Sequence, residues 1–213
     1  MNSLIEQILD AQYRRPSGWL GAWIGRRMAK DHLPENLWTV KVLRPQAGEH
    51  LLEIGFGAGV AIAELERNNR QLQICGIDFS RAMLSAAMRR NQAALREGRV
   101  RLYYGDAAVL PFDPESFDKV FSIHSIYFWP DPLAVLAEIR RVLKPGGWVV
   151  LTVLPKELWN VGQPDRVVGT AECRPYSGAE LDAMLRQAGF RAVRIEADSA
   201  PLLRSNYCVV AER

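Results

Sequence analysis

The chain has 213 residues, enough for one α/β domain with a modest extension, and 48% of them are hydrophobic, enough for one core. Its formal charge of +3 is too small to indicate a nucleic-acid partner by itself. The three cysteines, Cys75, Cys173 and Cys208, are odd in number and widely spaced, which excludes a disulfide framework or a Cys/His zinc cluster and points to a reducing, cytoplasmic setting. The sequence shows no signal-peptide-like core and no run long enough to span a bilayer.

In chain order, Leu4, Ile5, Ile8 and Leu9 recur at helical spacing. Pro16-Ser17-Gly18 breaks the chain. Trp19, Leu20, Trp23 and Ile24 then form an apolar stripe ending in basic Arg26, Arg27 and Lys30. Pro34 opens a helix with Leu37, Trp38, Val40, Val42 and Leu43 as its expected buried positions. Residues 1–46 therefore read as an N-terminal helical cap, with a mobile lid as the functional version of that reading. A membrane-surface role for residues 14–30 is weakened by the glycines among them and by the short apolar face. Residues 47–213 read as the main domain.

That domain begins with Leu51-Leu52-Glu53-Ile54, a short apolar run that reads as a buried strand. Gly55, Gly57 and Gly59 break it, and Val60 to Arg67 takes up a helical pattern. A strand that turns through glycines into a helix lets backbone approach a ligand and points free N–H groups at it. The second strand, Leu72–Ile77, ends at Asp78, where an acid can take the hydroxyls of a ribose. Ser80 caps a helix expected over 81–96, with Met83, Leu84, Ala87 and Leu95 facing inward. Strands follow at 100–104 and 117–123, then a helix over 132–143 capped by Asp131. Lys144-Pro145-Gly146-Gly147 reads as a tight turn into a strand over 148–154. Pro155 to Pro175 shows little periodicity. Ser177 caps a helix over 178–188, and strands near 190–197 and 206–211 close the chain. Alternation of strand and helix implies a mostly parallel sheet with helices on both faces, and the last two strands, with no helix between them, pair as an antiparallel hairpin.

The glycine loop also discriminates between cofactors. A dinucleotide fingerprint needs a third glycine where this chain has Val60. Glu53, two residues ahead of the loop, would repel a pyrophosphate but favour an ammonium or a sulfonium. This reading disfavours a dehydrogenase.

The stretch E-I-G-F-G-A-G (53–59) resembles the first motif of the class I S-adenosylmethionine (SAM)-dependent methyltransferases. G-I-D-F-S (76–80), G-D-A-A-V-L-P-F (105–112), the stretch F-D-K-V-F-S-I-H-S-I-Y-F-W-P-D-P (117–132) and R-V-L-K-P-G-G (141–147) resemble the motifs that follow it. The resemblance implies a Rossmann-like seven-stranded sheet from about Glu49 onward and SAM as cofactor. Within the family it is nearest to small-molecule methyltransferases of the ubiquinone/menaquinone type. Carried over residue by residue, it implies that Gly55, Gly57 and Gly59 form the cofactor loop and that Asp78 holds the ribose hydroxyls. Phe79 would flank the adenine, Asp106 take its amino group and the Ala107 N–H meet a ring nitrogen.

His124, at the expected carboxyl end of the fourth strand, is a candidate cofactor contact and general base, with a lining role as the alternative. Tyr127, the second catalytic candidate, joins Phe128 and Trp129 as an expected pocket wall. Asp118 reads as structural. Arg174 or Lys156 could hold a substrate carboxylate, with surface solvation as the competing role. The expected function is methyl transfer from SAM to a small-molecule acceptor, with no metal required. An RNA or protein methyltransferase and a non-catalytic SAM-binding protein are the alternatives. Nucleic acid is not an expected partner, because H-S-I-Y stands where amino-methylating nucleic-acid enzymes carry N-P-P-Y or D-P-P-Y. The sequence leaves oligomeric state open.

Overall fold

The computed structural model describes residues 18, 27, 30–159, 173–197 and 206–213. The stripe at 19–24, the first helix near Leu4 and most of the 155–175 stretch lie outside these residues. Seven strands form one sheet: β1 (His50–Ile54), β2 (Gln73–Asp78), β3 (Val100–Tyr104), β4 (Phe117–Ile123), β5 (Leu143–Val153), β6 (Arg191–Ala197) and β7 (Tyr207–Glu212). Their order is β3-β2-β1-β4-β5-β7-β6. β1 to β5 pair in parallel, and β7 runs antiparallel to both β5 and β6. The expected antiparallel pair is present, with a refinement: the later strand, β7, lies inside the sheet and β6 forms the edge.

The strands alternate their side chains between two cores. Leu52, Ile54, Val149 and Leu151 pack on one face, under α5 (Pro132–Val142) and α6 (Gly178–Gln187). Leu51, Phe121, Val150 and Val210 pack on the other, under α1 (Leu33–Leu43), α2 (Val60–Asn68), α3 (Arg81–Arg90) and α4 (Gln92–Arg96). Caps follow the sequence signals. Ser80 accepts the Met83 N–H and Asp131 the Ala134 N–H, and Ser177 and Glu180 form a reciprocal capping box.

Three expectations are corrected. In α1, Val40 and Leu43 are buried, but Leu37 is 41% exposed and polar Glu35, Asn36 and Thr39 are buried in its place. The helix is turned so that this polar face meets the carboxyl end of the sheet, where Thr39 Oγ1 lies 2.6 Å from Thr152 Oγ1. The helix expected over 81–96 divides at buried Asn91, whose Nδ2 donates to the carbonyls of Ala87 at 3.0 Å and Gly59 at 3.2 Å. Lys144 to Gly147 is absorbed into β5 beside a register shift opposite Phe117 and Lys119, with Gly146 at φ 75°.

Candidate active site

The strand order reverses between β1 and β4, so the crevice outside their carboxyl ends is where an open α/β sheet binds ligands. Two loops meet there: the glycine loop after β1 and residues 124–131 after β4. Gly55 has φ 73°, and a Cβ on it would lie 2.6 Å from Ser125 Cβ, so the loops can close only over a glycine. Ser125 Oγ donates to the Ile54 carbonyl at 3.2 Å and is also hydrogen-bonded to Ser122 Oγ.

An apolar cavity of about 140 Å³ opens at this point. Of the expected cofactor residues, Gly55, Asp78, Phe79, Asp106 and Ala107 line it, together with Phe128 and Trp129 from the expected wall. Glu53, Gly57, Gly59 and His124 lie outside its lining. Tyr127 belongs to the core, with Trp159 edge-on at 4.7 Å. Ser125 and Val135 line the cavity without having been anticipated. Ser125 is a small polar residue within the fourth motif, but its role depends on a contact with Gly55 that spacing does not reveal.

Asp78 serves the fold directly. Its Oδ2 accepts the Gly57 N–H and its Oδ1 the Ser80 N–H, each at 2.8 Å. Burial pushes this carboxyl up to about 6, against the lowering effect of those two N–H groups. Glu53 is 2% exposed, and its Oε2 has no hydrogen-bond partner. Burial first, and then the Asp78 charge, push the Glu53 carboxyl well above the usual range. Two buried acids at the tips of adjacent strands, with no cation lowering either, make a site that favours positive charge. Asp106 is exposed, and its Oδ1 accepts the Ala108 N–H at 2.9 Å.

His124 sits just past β4 with φ 53°, a left-handed backbone rare for a non-glycine residue, while its N–H still donates to the Thr152 carbonyl at 3.0 Å. Its Nδ1 lies 3.2 Å from the Tyr127 hydroxyl. Burial first, and then neighbouring His32, push the His124 imidazole down to about 3, so the ring is neutral at physiological pH. The Tyr127 hydroxyl is held by the Leu154 backbone N–H, and burial pushes the phenol above its usual range. Asp118 accepts the His50 N–H at 2.8 Å and pairs with Lys144, a structural arrangement. Lys156 pairs with Glu180, and the Arg174 guanidinium stands 5.2 Å from the centre of the Tyr176 ring.

A family model described as a methyltransferase domain matches residues 52–151, the span from β1 to β5. The uncharacterized methyltransferase YdaC of Bacillus subtilis is 30% identical over 172 residues, 81% of this chain and 88% of that protein. The chain belongs to the class I SAM-dependent methyltransferase family. It is an enzyme whose cofactor is SAM. The O-methyltransferase cnsE of Penicillium expansum is 32% identical over 155 residues, 72% of this chain, and the methyltransferase spans only 56% of that relative's length. Among solved structures, the methyltransferase complexed with the Haloferax volcanii Trm112 activator shares the fold. Its TM-score is 0.75 at 23% identity, covering 90% of this chain and 93% of that one. Among the described residues, no helix is long and apolar enough to cross a membrane.

Proposed function

We propose that this methyltransferase transfers its methyl group to a small-molecule acceptor, with residues 1–46 capping a SAM-binding domain at 47–213. The observation that carries the reading is the buried, unpartnered Oε2 of Glu53, on the strand next to that of Asp78, which itself lines a cavity with Phe128 and Trp129. The residues fit the cofactor: an orphaned buried carboxylate oxygen suits the α-ammonium, and the acid tips suit a cation that carries no phosphate. The cavity is smaller than the ~300 Å³ or more typical of complete ligand sites, so it suits the adenosyl end alone. Asp78 has used one lone pair of each oxygen on backbone, which leaves acceptor capacity for ribose hydroxyls. Phe79 and Asp106 with Ala107 take the adenine, and Gly55, Gly57 and Gly59 carry the chain past the amino-acid end into α2.

When bound, SAM supplies a methyl group on a sulfonium, a leaving group that needs alignment more than activation. The chain's part is to hold the acceptor in line behind the methyl carbon and to exclude water. The faces of Phe128 and Trp129 favour the positive charge. Burial leaves neutral His124 too weak a base to take an acceptor's proton, so the chain's part is alignment. The similarity to an O-methyltransferase supports a hydroxyl acceptor, and three cysteines that form no disulfide among the described residues fit a cytoplasmic setting.

An acceptor screen that reads release of S-adenosylhomocysteine tests the proposal, with small hydroxylated and amino compounds, RNA and peptides as separate arms. Turnover on small compounds is the expected result. Turnover confined to RNA or peptides, or SAM binding with no turnover in any arm, would overturn it.

A further inference from the structure

The polar face of α1 brings together side chains that the methyl-transfer reading does not use. His32 and Glu35 stand three residues apart at the start of that helix and face His124 across the carboxyl end of β4. One ligand atom from each lies within 4.8 Å of the other two. The His32 and His124 ring centres are 4.9 Å apart, and His32 Nδ1 is 3.8 Å from Glu35 Oε1. Each residue also carries a buried atom with no hydrogen-bond partner: His32 Nδ1, Glu35 Oε2 and His124 Nε2. Leaving such atoms unpaired costs their full desolvation. Three orphans converging on one point call for one common partner.

We propose that His32, Glu35 and His124 bind a single divalent transition-metal cation of the zinc type. Two imidazole nitrogens and one carboxylate oxygen form a donor set for zinc and its neighbours, whereas calcium and magnesium take oxygen ligands. The surroundings resemble the outer shell of a metal site. His124 Nδ1 rests on the Tyr127 hydroxyl, itself fixed by the Leu154 backbone, and this directs Nε2 into the cluster. Glu35 Oε1 accepts from Asn206 Nδ2 at 3.3 Å, which holds the carboxylate from the other side. His32 occupies the N-cap of α1, where Ser, Thr, Asp or Asn is usual, yet its side chain makes no cap hydrogen bond. Donors about 2.1 Å from a common ion stand roughly 3–3.5 Å apart, so binding draws the cluster in by about 1 Å. Half-buried His32 is the residue placed to move. Three protein ligands leave a coordination position open. Its use by an acceptor hydroxyl rests on the small-molecule reading above; the cation site itself does not.

The test uses the full chain, stripped with a chelator and titrated with cobalt(II) and zinc(II) alone. The expected result is a saturable visible cobalt band at one ion per chain, displaced by zinc. His32→Ala and Glu35→Gln should each weaken zinc binding by about 100-fold or more, while His32→Ala keeps its SAM affinity, which shows that it is folded. Zinc should also slow acylation of half-exposed His32, but not of His50, by diethylpyrocarbonate as read by mass spectrometry, a measurement that needs no variant. Absence of a cobalt band, binding unchanged in both variants, or acylation of His32 unaffected by zinc would overturn the site. Because SAM binding is measured separately, that failure would leave the methyl-transfer reading intact.

Discussion

Asp78 Oδ2 accepts the Gly57 N–H at 2.8 Å, so the tip of β2 holds the loop that leaves β1. The same carboxylate holds the entry to α3 through the Ser80 N–H. An acid that would meet ribose thus already organises the loop beside it. This dual use explains why it stays in a buried position that raises its proton affinity.

That raised affinity predicts a pH dependence of stability. The folded-state value of about 6 stands above the ordinary 3.8, so the folded protein keeps the Asp78 proton after the unfolded chain has lost it. Stability is therefore greatest at low pH as far as this group is concerned, and it is lost as pH rises from about 4 to about 6. The full loss is about 3 kcal/mol. Urea unfolding without SAM should show wild type losing that much more than Asp78→Asn across the window. Parallel curves would contradict it.

Glu53 gives a second pH effect, this time on binding. Burial and then Asp78 push its carboxyl well above the usual range, and a cationic ligand would favour the ionised form. SAM binding should therefore release protons at a pH where the free carboxyl still holds one. Calorimetry in two buffers of different ionisation enthalpy reads that release directly. Glu53→Gln should abolish it and weaken SAM by about tenfold or more.

The three loop glycines should separate folding from binding. A methyl group on Gly55 would strike Ser125, and one on Gly59 would lie 2.6 Å from Asn91 Nδ2 and 2.9 Å from Ala87 Cβ. Gly57, at φ 51°, has nothing within 4 Å. Gly55→Ala and Gly59→Ala should therefore lose about 2–4 kcal/mol in urea unfolding, whereas Gly57→Ala should lose only the roughly 1–2 kcal/mol of its left-handed backbone. The Gly57 N–H is held by Asp78 and the space beside the residue is open, so that variant should still lose SAM affinity. Equal destabilisation at all three positions would show that the loop serves packing alone.

Tyr127→Phe should act on stability more than on proton transfer. Removing the hydroxyl leaves the Leu154 N–H without its partner, a cost of about 1–3 kcal/mol. Burial holds the phenol above its ordinary range, so it keeps its proton at working pH. The pH profile of kcat/KM should therefore keep its shape. Loss of a limb of that profile would give Tyr127 a direct chemical role.

Much of the fold is legible in the sequence because local chemistry and global pattern agree. Apolar runs ending in Glu53-Ile54 and Asp78 mark strands, and Ser80, Asp131 and Ser177 mark helix starts. What escapes is the polar face of α1, where Glu35 and Asn36 look like solvent-facing residues until the sheet end they meet is known. The break at Asn91 escapes for the same reason, since its amide bonds the Gly59 carbonyl in the glycine loop. At the site, Asp78 is expected from its strand-tip position and Asp106 from the motif resemblance. His32 and Ser125 emerge only when segments far apart in sequence come together at the end of β4.

The placement of β7 between β5 and β6 has a consequence for how the molecule is made. β6 leaves the ribosome before the strand that joins it to the rest of the sheet. Until Tyr207–Glu212 follows, β6 has no neighbour and β5 presents an open edge of backbone donors and acceptors. The nascent chain therefore carries two unsatisfied edges at once, and the single strand β7 closes both.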